Sequence, residues 1–192
     1  MFPLLSMIYP LALGTAFIIA GLLLLVAHGL ALFKPKAVQD WLRAFPRSRF
    51  WGTAMIVAAT VWAWLLVTKV DLGEFSDWRF RLQLIVPIAG FLAWQYVDEF
   101  LSVRALGMVT LLAAEPLLEA AWLHPEGSRL VLVVLVYAYI VLAMFWIGMP
   151  YVLRDQIAWL TKNESRWRAA ALAGVIYGAL LLILVPTLHR SS

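Results

Sequence analysis

Two glutamates one helical turn apart are the residues of this chain whose type and spacing most directly suggest chemistry. Glu115 and Glu119 lie in the apolar stretch between Arg104 and Trp122, and Pro116 stands between them. Ionisable side chains at membrane depth are costly, so they are the default place to look for function. Carboxylates about 6 Å apart in a low dielectric cannot both ionise cheaply. The sequence therefore predicts that the pair shares one proton at neutral pH.

The helix face that carries the pair could form a proton or cation site. At helical spacing it presents Arg104, Met108, Leu111, Glu115, Glu119 and Trp122. Pro116 cannot donate a hydrogen bond to the carbonyl of Leu112, so a kink is predicted at Pro116 and the freed carbonyl could accept from a cation or a protonated carboxyl. The structural alternative is that Arg79, Arg81 or Arg129 pairs with the carboxylates, or that water solvates them.

A second charged cluster, Asp98, Glu99 and Arg104, lies where the third and fourth apolar segments meet. A salt bridge from Asp98 or Glu99 to Arg104 would fix this tight turn, and that structural role is the favoured interpretation. The string resembles the Glu-Glu-x-x-x-Arg element of membrane-embedded CAAX-type proteases. Its spacing is longer by one residue and the accompanying histidine motifs are missing, which excludes that family.

Other patterns that would indicate catalysis or ligand binding are missing from the sequence. The chain has no cysteine, which excludes disulfides, thiolate catalysis and cysteine metal ligands. His28, His124 and His189 stand near the ends of apolar segments, and no serine lies deep in one, so neither a metal site nor a Ser-His pair is predicted. No phosphate-binding glycine motif occurs. We therefore predict no catalytic residue, no metal and no cofactor, and favour a function other than catalysis.

The elements that position these residues are predicted to be membrane helices. Hydrophobic residues make up 64% of the chain, charged residues 14%, and its mean hydropathy is +0.89, too apolar for a soluble domain of this size. Six apolar segments are long enough to cross a hydrocarbon core: 10–33, 50–69, 82–98, 101–123, 130–152 and 169–188. The first is too long for a signal peptide and is expected to remain in the mature chain. The predicted fold class is an all-α integral membrane protein, one polytopic domain over residues 1–192.

Basic residues are concentrated on one side of the predicted bundle. The loops after spans one, three and five contain Lys34, Lys36, Arg43, Arg47, Arg49, Arg104, Arg154, Lys162, Arg166 and Arg168, whereas the other side has Lys69, Arg79, Arg81, Arg129 and Arg190. The positive-inside rule then places these three loops in the cytoplasm and both termini outside, in a membrane that we expect to be a bacterial inner membrane. The net charge of +4 is explained by loops that face anionic lipid headgroups, so no nucleic-acid partner is predicted. The expected headgroup contacts are Lys34, Lys36, Arg43, Arg47, Arg49, Arg166 and Arg168.

Two of the cytoplasmic loops contain predicted amphipathic helices. In the first loop Val38, Trp41, Leu42 and Phe45 repeat at helical spacing, and in the last Val152, Gln156, Ile157, Trp159 and Leu160 form a comparable stripe. Such helices lie in the membrane interface or dock a soluble partner. The loops also share a Trp-Leu pair followed by Ser-Arg-aromatic, in DWLRAFPRSRFW and AWLTKNESRWR, which suggests a degenerate repeat of the outer hairpins.

Small residues four positions apart predict close helix packing. They are Ala12, Ala16 and Ala20 in the first span and Ala170, Gly174 and Gly178 in the last. With these faces and no catalytic pattern, the favoured function is an integral membrane subunit or scaffold that packs against other membrane proteins or itself. The alternative is a small transporter or channel-like protein for protons, cations or a lipophilic solute that uses Glu115 and Glu119. An enzyme acting on lipid is the least favoured class.

Overall fold

The computed structural model describes residues 9, 11–97, 99–122, 124 and 127–188, and every regular element in these ranges is a helix. The helices are α1 Leu13–Phe33, α2 Pro35–Ala44, α3 Arg49–Lys69, α4 Arg79–Tyr96, α5 Leu101–Ala121, α6 Arg129–Gly148, α7 Tyr151–Thr161 and α8 Glu164–Leu188. Short 3-10 turns occupy Phe45–Arg47 and Gly73–Trp78. The prediction of an all-helical fold is confirmed for the described part of the chain.

Five of these helices, α1, α3, α5, α6 and α8, are long and apolar enough to cross a membrane. The shortest, α6, has 20 residues, which at about 1.5 Å per residue matches a hydrocarbon core of about 30 Å. The predicted third span corresponds to α4, which has 18 residues and is less apolar, because Arg79, Arg81 and Gln83 lie in its first two turns. The described chain is therefore a helical bundle with five candidate membrane spans.

Several predicted span boundaries were wrong by a few residues. The helix of the first predicted span begins at Leu13 rather than residue 10, and the helix at the predicted third span covers Arg79–Tyr96 rather than 82–98. The fifth, predicted over 130–152, ends at Gly148, because Pro150 cannot continue the helical hydrogen bonds and Tyr151 begins α7. The sixth, predicted to begin at residue 169, begins at Glu164. Basic side chains at such a helix end can reach the headgroup layer, so they need not lie outside the helix.

Helices α1 and α8 pack antiparallel along most of their length. Gly21 of α1 faces Gly178 of α8, and a Cβ on either glycine would come within 3.0 Å of the other's carbonyl oxygen. Further along, Gly174 of α8 lies against the imidazole ring of His28 on α1. The predicted close packing of small residues is confirmed at Gly174 and Gly178.

Helix α5 lies between α3 and α6. Gly52 of α3 meets Leu101 at the start of α5, and Ile56 packs with Ala105 one turn later, so α3 and α5 run in the same direction. Helix α6 returns antiparallel beside α5. Helix α4 packs antiparallel on α3, touches α5 only slightly, and has no buried residue.

One end of the bundle, which we call the basic end, consists of α2, the Phe45–Arg47 turn, the start of α5 and α7. Arg43 of α2 joins the two short helices: its Nε donates to Thr161 Oγ1 at 3.1 Å and its Nη2 to the Thr161 carbonyl oxygen at 3.2 Å. The indole N–H of buried Trp167 donates to the carbonyl oxygen of Ala31 at 2.9 Å, which holds the start of α8 on α1. The basic residues predicted to contact headgroups all lie in these elements or in the adjoining ends of α1, α3 and α8.

Candidate functional site

Glu119 lies near the Ala121 end of α5 and contacts the chain segment that precedes α1. Its Oε2 accepts a hydrogen bond from the backbone N–H of Tyr9 at 3.3 Å. The Tyr9 hydroxyl in turn accepts from the indole N–H of Trp62 on α3 at 2.6 Å. These contacts give Glu119 a structural part, because they hold the chain before α1 across α3 and α5.

Glu115 lies one turn nearer the middle of α5 and is exposed on the surface of the bundle. Helix α5 continues through Pro116 to Ala121, so the proline does not end it. At about 1.5 Å per residue, Glu115 is about 9 Å from the Ala121 end of the helix. The two carboxylates therefore share a face of α5 but have different surroundings, and a shared proton stays a prediction.

The predicted charge cluster at the start of α5 has two described members, Glu99 and Arg104. Asp98 lies outside the described residues. Phe100 has a left-handed backbone conformation with φ of 56°, and the chain reverses there between exposed Glu99 and helix α5. Within the described residues Arg104 makes no ion pair with Glu99, and its Nε is buried without a hydrogen-bond partner. The Glu99 alternative of the predicted salt bridge to Arg104 is therefore wrong, and the Asp98 alternative stays a prediction.

Ser102 fixes this end of α5. The side chain is 1% exposed. Its hydroxyl donates a bifurcated hydrogen bond to the carbonyl oxygens of Phe45 and Pro46, at 2.8 and 2.9 Å. Sequence reasoning missed Ser102 because its partners lie more than fifty residues earlier and no local spacing connects them.

A polar cavity of about 470 Å³ lies between α3, α4 and the start of α5 at the basic end. It is lined by Pro46, Arg47, Ser48, Arg49, Thr53, Trp94, Gln95 and Leu101. Both arginines are exposed. Among the described residues no acidic side chain lines this cavity.

A separate apolar cavity of about 370 Å³ lies deeper between the same three helices, and it shares no lining residue with the polar cavity. Small residues form most of its walls: Ala59 and Ala63 on α3, and Ala89, Gly90 and Ala93 on α4, with Met108 and Leu111 on α5. The indole N–H of Trp94 donates to Thr53 Oγ1 at 3.1 Å and ties α4 to α3 between the two cavities. At this level Ala93 of α4 packs against the buried cluster of Ile56, Leu101 and Ala105.

The predicted functional face of α5 borders this apolar cavity. Met108 and Leu111 line the deep cavity, and Glu115 lies one turn beyond Leu111 on the same face. None of the cavities described in this section is lined by Glu115 or Glu119. The functional role of this face stays a prediction, and the cavities beside it depend on α3 and α4 as well as on α5.

A second pair of cavities follows α1. An apolar cavity of about 580 Å³ lies beneath α2 and α7, with His28, Lys34, Trp41 and Trp167 in its walls. It adjoins a cavity of about 310 Å³ between α1, α5 and α6, which His28 also lines. The His28 Nδ1 lies 2.9 Å from the carbonyl oxygen of Leu24. Within the described residues no group of three or more His, Asp or Glu side chains could hold a metal ion.

Several basic residues predicted to contact headgroups have partners within the chain. Arg43 binds Thr161, Arg168 pairs with Glu164 at 2.6 Å, and Arg166 lies 4.6 Å above the ring of Trp159. Arg47 and Arg49 line the polar cavity at the basic end.

Comparison of the chain with protein-family models, with curated proteins and with solved structures finds no match.

Proposed function

We propose that the chain is an integral membrane subunit that packs against another membrane protein, or a second copy of itself, through the side of α5 that carries Glu115. The observation behind the proposal is that Glu115 is exposed on a helix able to span a membrane, about 9 Å from the helix end. Ionisable residues at such depth almost always face a bundle interior or a water-filled cavity. With a partner helix packed on this side of α5, the Glu115 side chain lies in a helix–helix interface instead of facing lipid.

Exposed apolar side chains are not by themselves evidence for a protein partner. Phe80, Ile88 and Phe91 on α4 are each more than half exposed, but lipid covers such groups without cost. The carboxyl of Glu115 is different, because hydrocarbon offers it no hydrogen bond. The alternative function, transport of protons or cations through Glu115 and Glu119, has less support, since neither carboxylate lines one of the cavities described above.

The proposal includes six membrane crossings, with α4 as the third. Helices α3 and α5 both begin at the basic end, so the chain must return between them, and α4 runs antiparallel to α3. The guanidinium of Arg79 donates to the carbonyl oxygens of Thr68 and Val70 at 2.7 and 2.9 Å, which supplies partners for this charge at the helix end. By the positive-inside rule we place the basic end in the cytoplasm of a bacterium, and α2 and α7 in the headgroup layer of its inner membrane.

Extraction in a mild detergent, followed by size-exclusion chromatography with light scattering and native mass spectrometry, tests the proposed function. We expect a stable oligomer or a complex of fixed stoichiometry. Glu115→Gln should reduce the assembled fraction about tenfold or more, because a buried hydrogen bond to a charged group is lost. Glu74→Gln, which neutralises an exposed glutamate in the Gly73–Trp78 turn, should leave the assembly unchanged.

A monomeric wild-type chain would contradict the subunit proposal. If purified monomer in sealed vesicles also carried protons, and Glu115→Gln abolished that flux, transport would replace it. If Glu115→Gln and Glu74→Gln assemble equally well, Glu115 does not lie in the interface.

A further inference from the structure

The cavity between α1, α5 and α6 is lined by three polar side chains, one from each helix. They are His28 on α1, Thr110 on α5 and Tyr139 on α6, and every other described lining residue is Ala, Leu or Val. The cavity holds about 310 Å³. A few polar groups that converge on an apolar cavity from separate helices are typical of a small-molecule site.

The three polar side chains lie at one depth in the bundle. Beneath them the same helices contribute a layer of the buried core, formed by Leu24, Ala114 and Val136. Each polar residue is three or four positions along its own helix from this layer, which is one turn nearer the basic end. Thr110 is about 14 Å from the start of α5 at about 1.5 Å per residue, close to half of a hydrocarbon core about 30 Å thick.

Two of these side chains can only accept a hydrogen bond from a ligand. The Thr110 hydroxyl donates its proton to the carbonyl oxygen of Leu106 at 2.8 Å, so its Oγ1 has only lone pairs to offer. The Nδ1 of His28 lies 2.9 Å from the carbonyl oxygen of Leu24, which cannot donate. Nδ1 therefore carries the proton of the neutral ring, and Nε2 is an acceptor.

Tyr139 differs from the other two because its hydroxyl makes no hydrogen bond within the described part of the chain, so it can donate or accept. The layer as a whole thus complements a ligand that supplies hydroxyl donors. An acyl chain would leave all three groups without a partner, which is costly in hydrocarbon.

The size and position of the cavity suit a substituted ring that arrives from the bilayer. An apolar cavity of about 150 Å³ accommodates benzene, so this cavity has room for a ring with several substituents. Leu23 lines the cavity and is exposed on the outer surface of α1, which places the cavity wall next to lipid.

We propose that this cavity binds the ring of a lipophilic para-quinol. One ligand hydroxyl donates to Nε2 of His28 and the other to Oγ1 of Thr110, and the Tyr139 hydroxyl donates to a ligand oxygen. The corresponding quinone has carbonyl oxygens that only accept, so it satisfies Tyr139 alone. The site is independent of the partner proposed for Glu115, because Glu115 does not line this cavity.

Native mass spectrometry of the full chain in detergent, titrated with duroquinol under anaerobic conditions, tests the site. Wild type should bind one duroquinol per chain about 10- to 30-fold more tightly than the dimethyl ether of duroquinol, which keeps the ring and lacks both donors. Duroquinone should also bind at least about tenfold more weakly than duroquinol, for the same reason.

Two conservative variants with matched controls test the named groups. Thr110→Val should weaken binding of duroquinol about 3- to 10-fold, whereas Thr60→Val, which removes a hydroxyl that also donates within its own helix, should have no effect. Tyr139→Phe should weaken it by a similar factor, whereas Tyr137→Phe, at an exposed tyrosine of α6, should leave it unchanged.

Several results would overturn the quinol site. They are the absence of saturable binding to wild type, equal affinity for duroquinol and its dimethyl ether, and equal effects of the cavity variants and their controls. A copurified phospholipid that duroquinol does not displace would instead identify an acyl chain as the occupant and would refute the proposed hydrogen bonds.

Discussion

Ser102 is the buried polar side chain on which the start of α5 depends. Its hydroxyl satisfies carbonyl groups of the Phe45–Arg47 turn, from which α3 begins, so one residue positions two helices. The ion pairs Arg154–Asp155 and Arg168–Glu164 are exposed and contribute little, since water and salt screen them. The buried hydrogen bond of Ser102, which water cannot replace, therefore contributes more to the stability of the fold than these ion pairs do.

Ser102→Ala should lower the free energy of unfolding by about 1–2 kcal/mol, because two buried carbonyl groups lose their shared donor. Titration with sodium dodecyl sulfate, monitored by tryptophan fluorescence, measures this change. Ser76→Ala, at an exposed serine in the Gly73–Trp78 turn, should leave the midpoint unchanged. Equal midpoints for the two variants would show that Ser102 is not a structural anchor.

At the same scale, helical spacing predicted which residues share a face with Glu115 but not what surrounds them. Met108 and Leu111 line the deep apolar cavity as that face suggests, since the spacing depends only on α5. The contact of Glu119 with Tyr9, and the separation of Glu99 from Arg104, arise from distant chain segments and from the backbone at Phe100. Neither leaves a local pattern in the sequence.

At the scale of elements, the contact between α1 and α8 is set by glycines that allow the backbones to approach. Small residues four positions apart predicted close packing at Gly174 and Gly178, because packing in lipid depends on close approach, but they did not predict that α1 and α8 are the partners. The helix ends were less predictable. Apolar character continues through Gly148 into α7, and only Pro150 marks the break.

Gly174→Ala should destabilise the bundle by about 1–3 kcal/mol, because the added methyl group collides with the His28 ring. Combining it with His28→Ala should restore part of the loss, which a double-mutant cycle in the detergent titration would measure. Gly29→Ala is the control, since a Cβ there meets nothing within 4 Å. A loss that His28→Ala does not relieve would place the strain elsewhere.

At the scale of the whole molecule, the direction of each helix follows from the contacts. Six apolar segments were predicted, because lipid imposes a minimum length on each span, and five of the corresponding helices are long and apolar enough to cross a membrane. The neighbours of α5 could not be predicted, since apolar helices in lipid carry little information about which helix they contact. The cavities on either side of α5 belong to this unpredictable part.

Because the chain has no cysteine, single cysteines can report its topology without background. In the proposed topology α4 crosses the membrane between Ser76 and Glu99. Ser76→Cys should then react with a membrane-impermeant maleimide in intact cells, whereas Glu99→Cys should react only after permeabilisation. Both sites are exposed. Reaction of both in intact cells would mean that α4 does not cross, and the reverse pattern would mean that the basic end faces outward.

The modest hydropathy of α4 also bears on how the protein is made. A segment with two arginines in its first turn enters lipid less readily on its own than its neighbours do. The contacts that hold it, from Arg79 to the last carbonyls of α3 and from Trp94 to Thr53, all lead to a helix that leaves the ribosome earlier. We therefore expect α3 and α4 to leave the translocation channel together, so that the unit of insertion is the hairpin rather than the single helix.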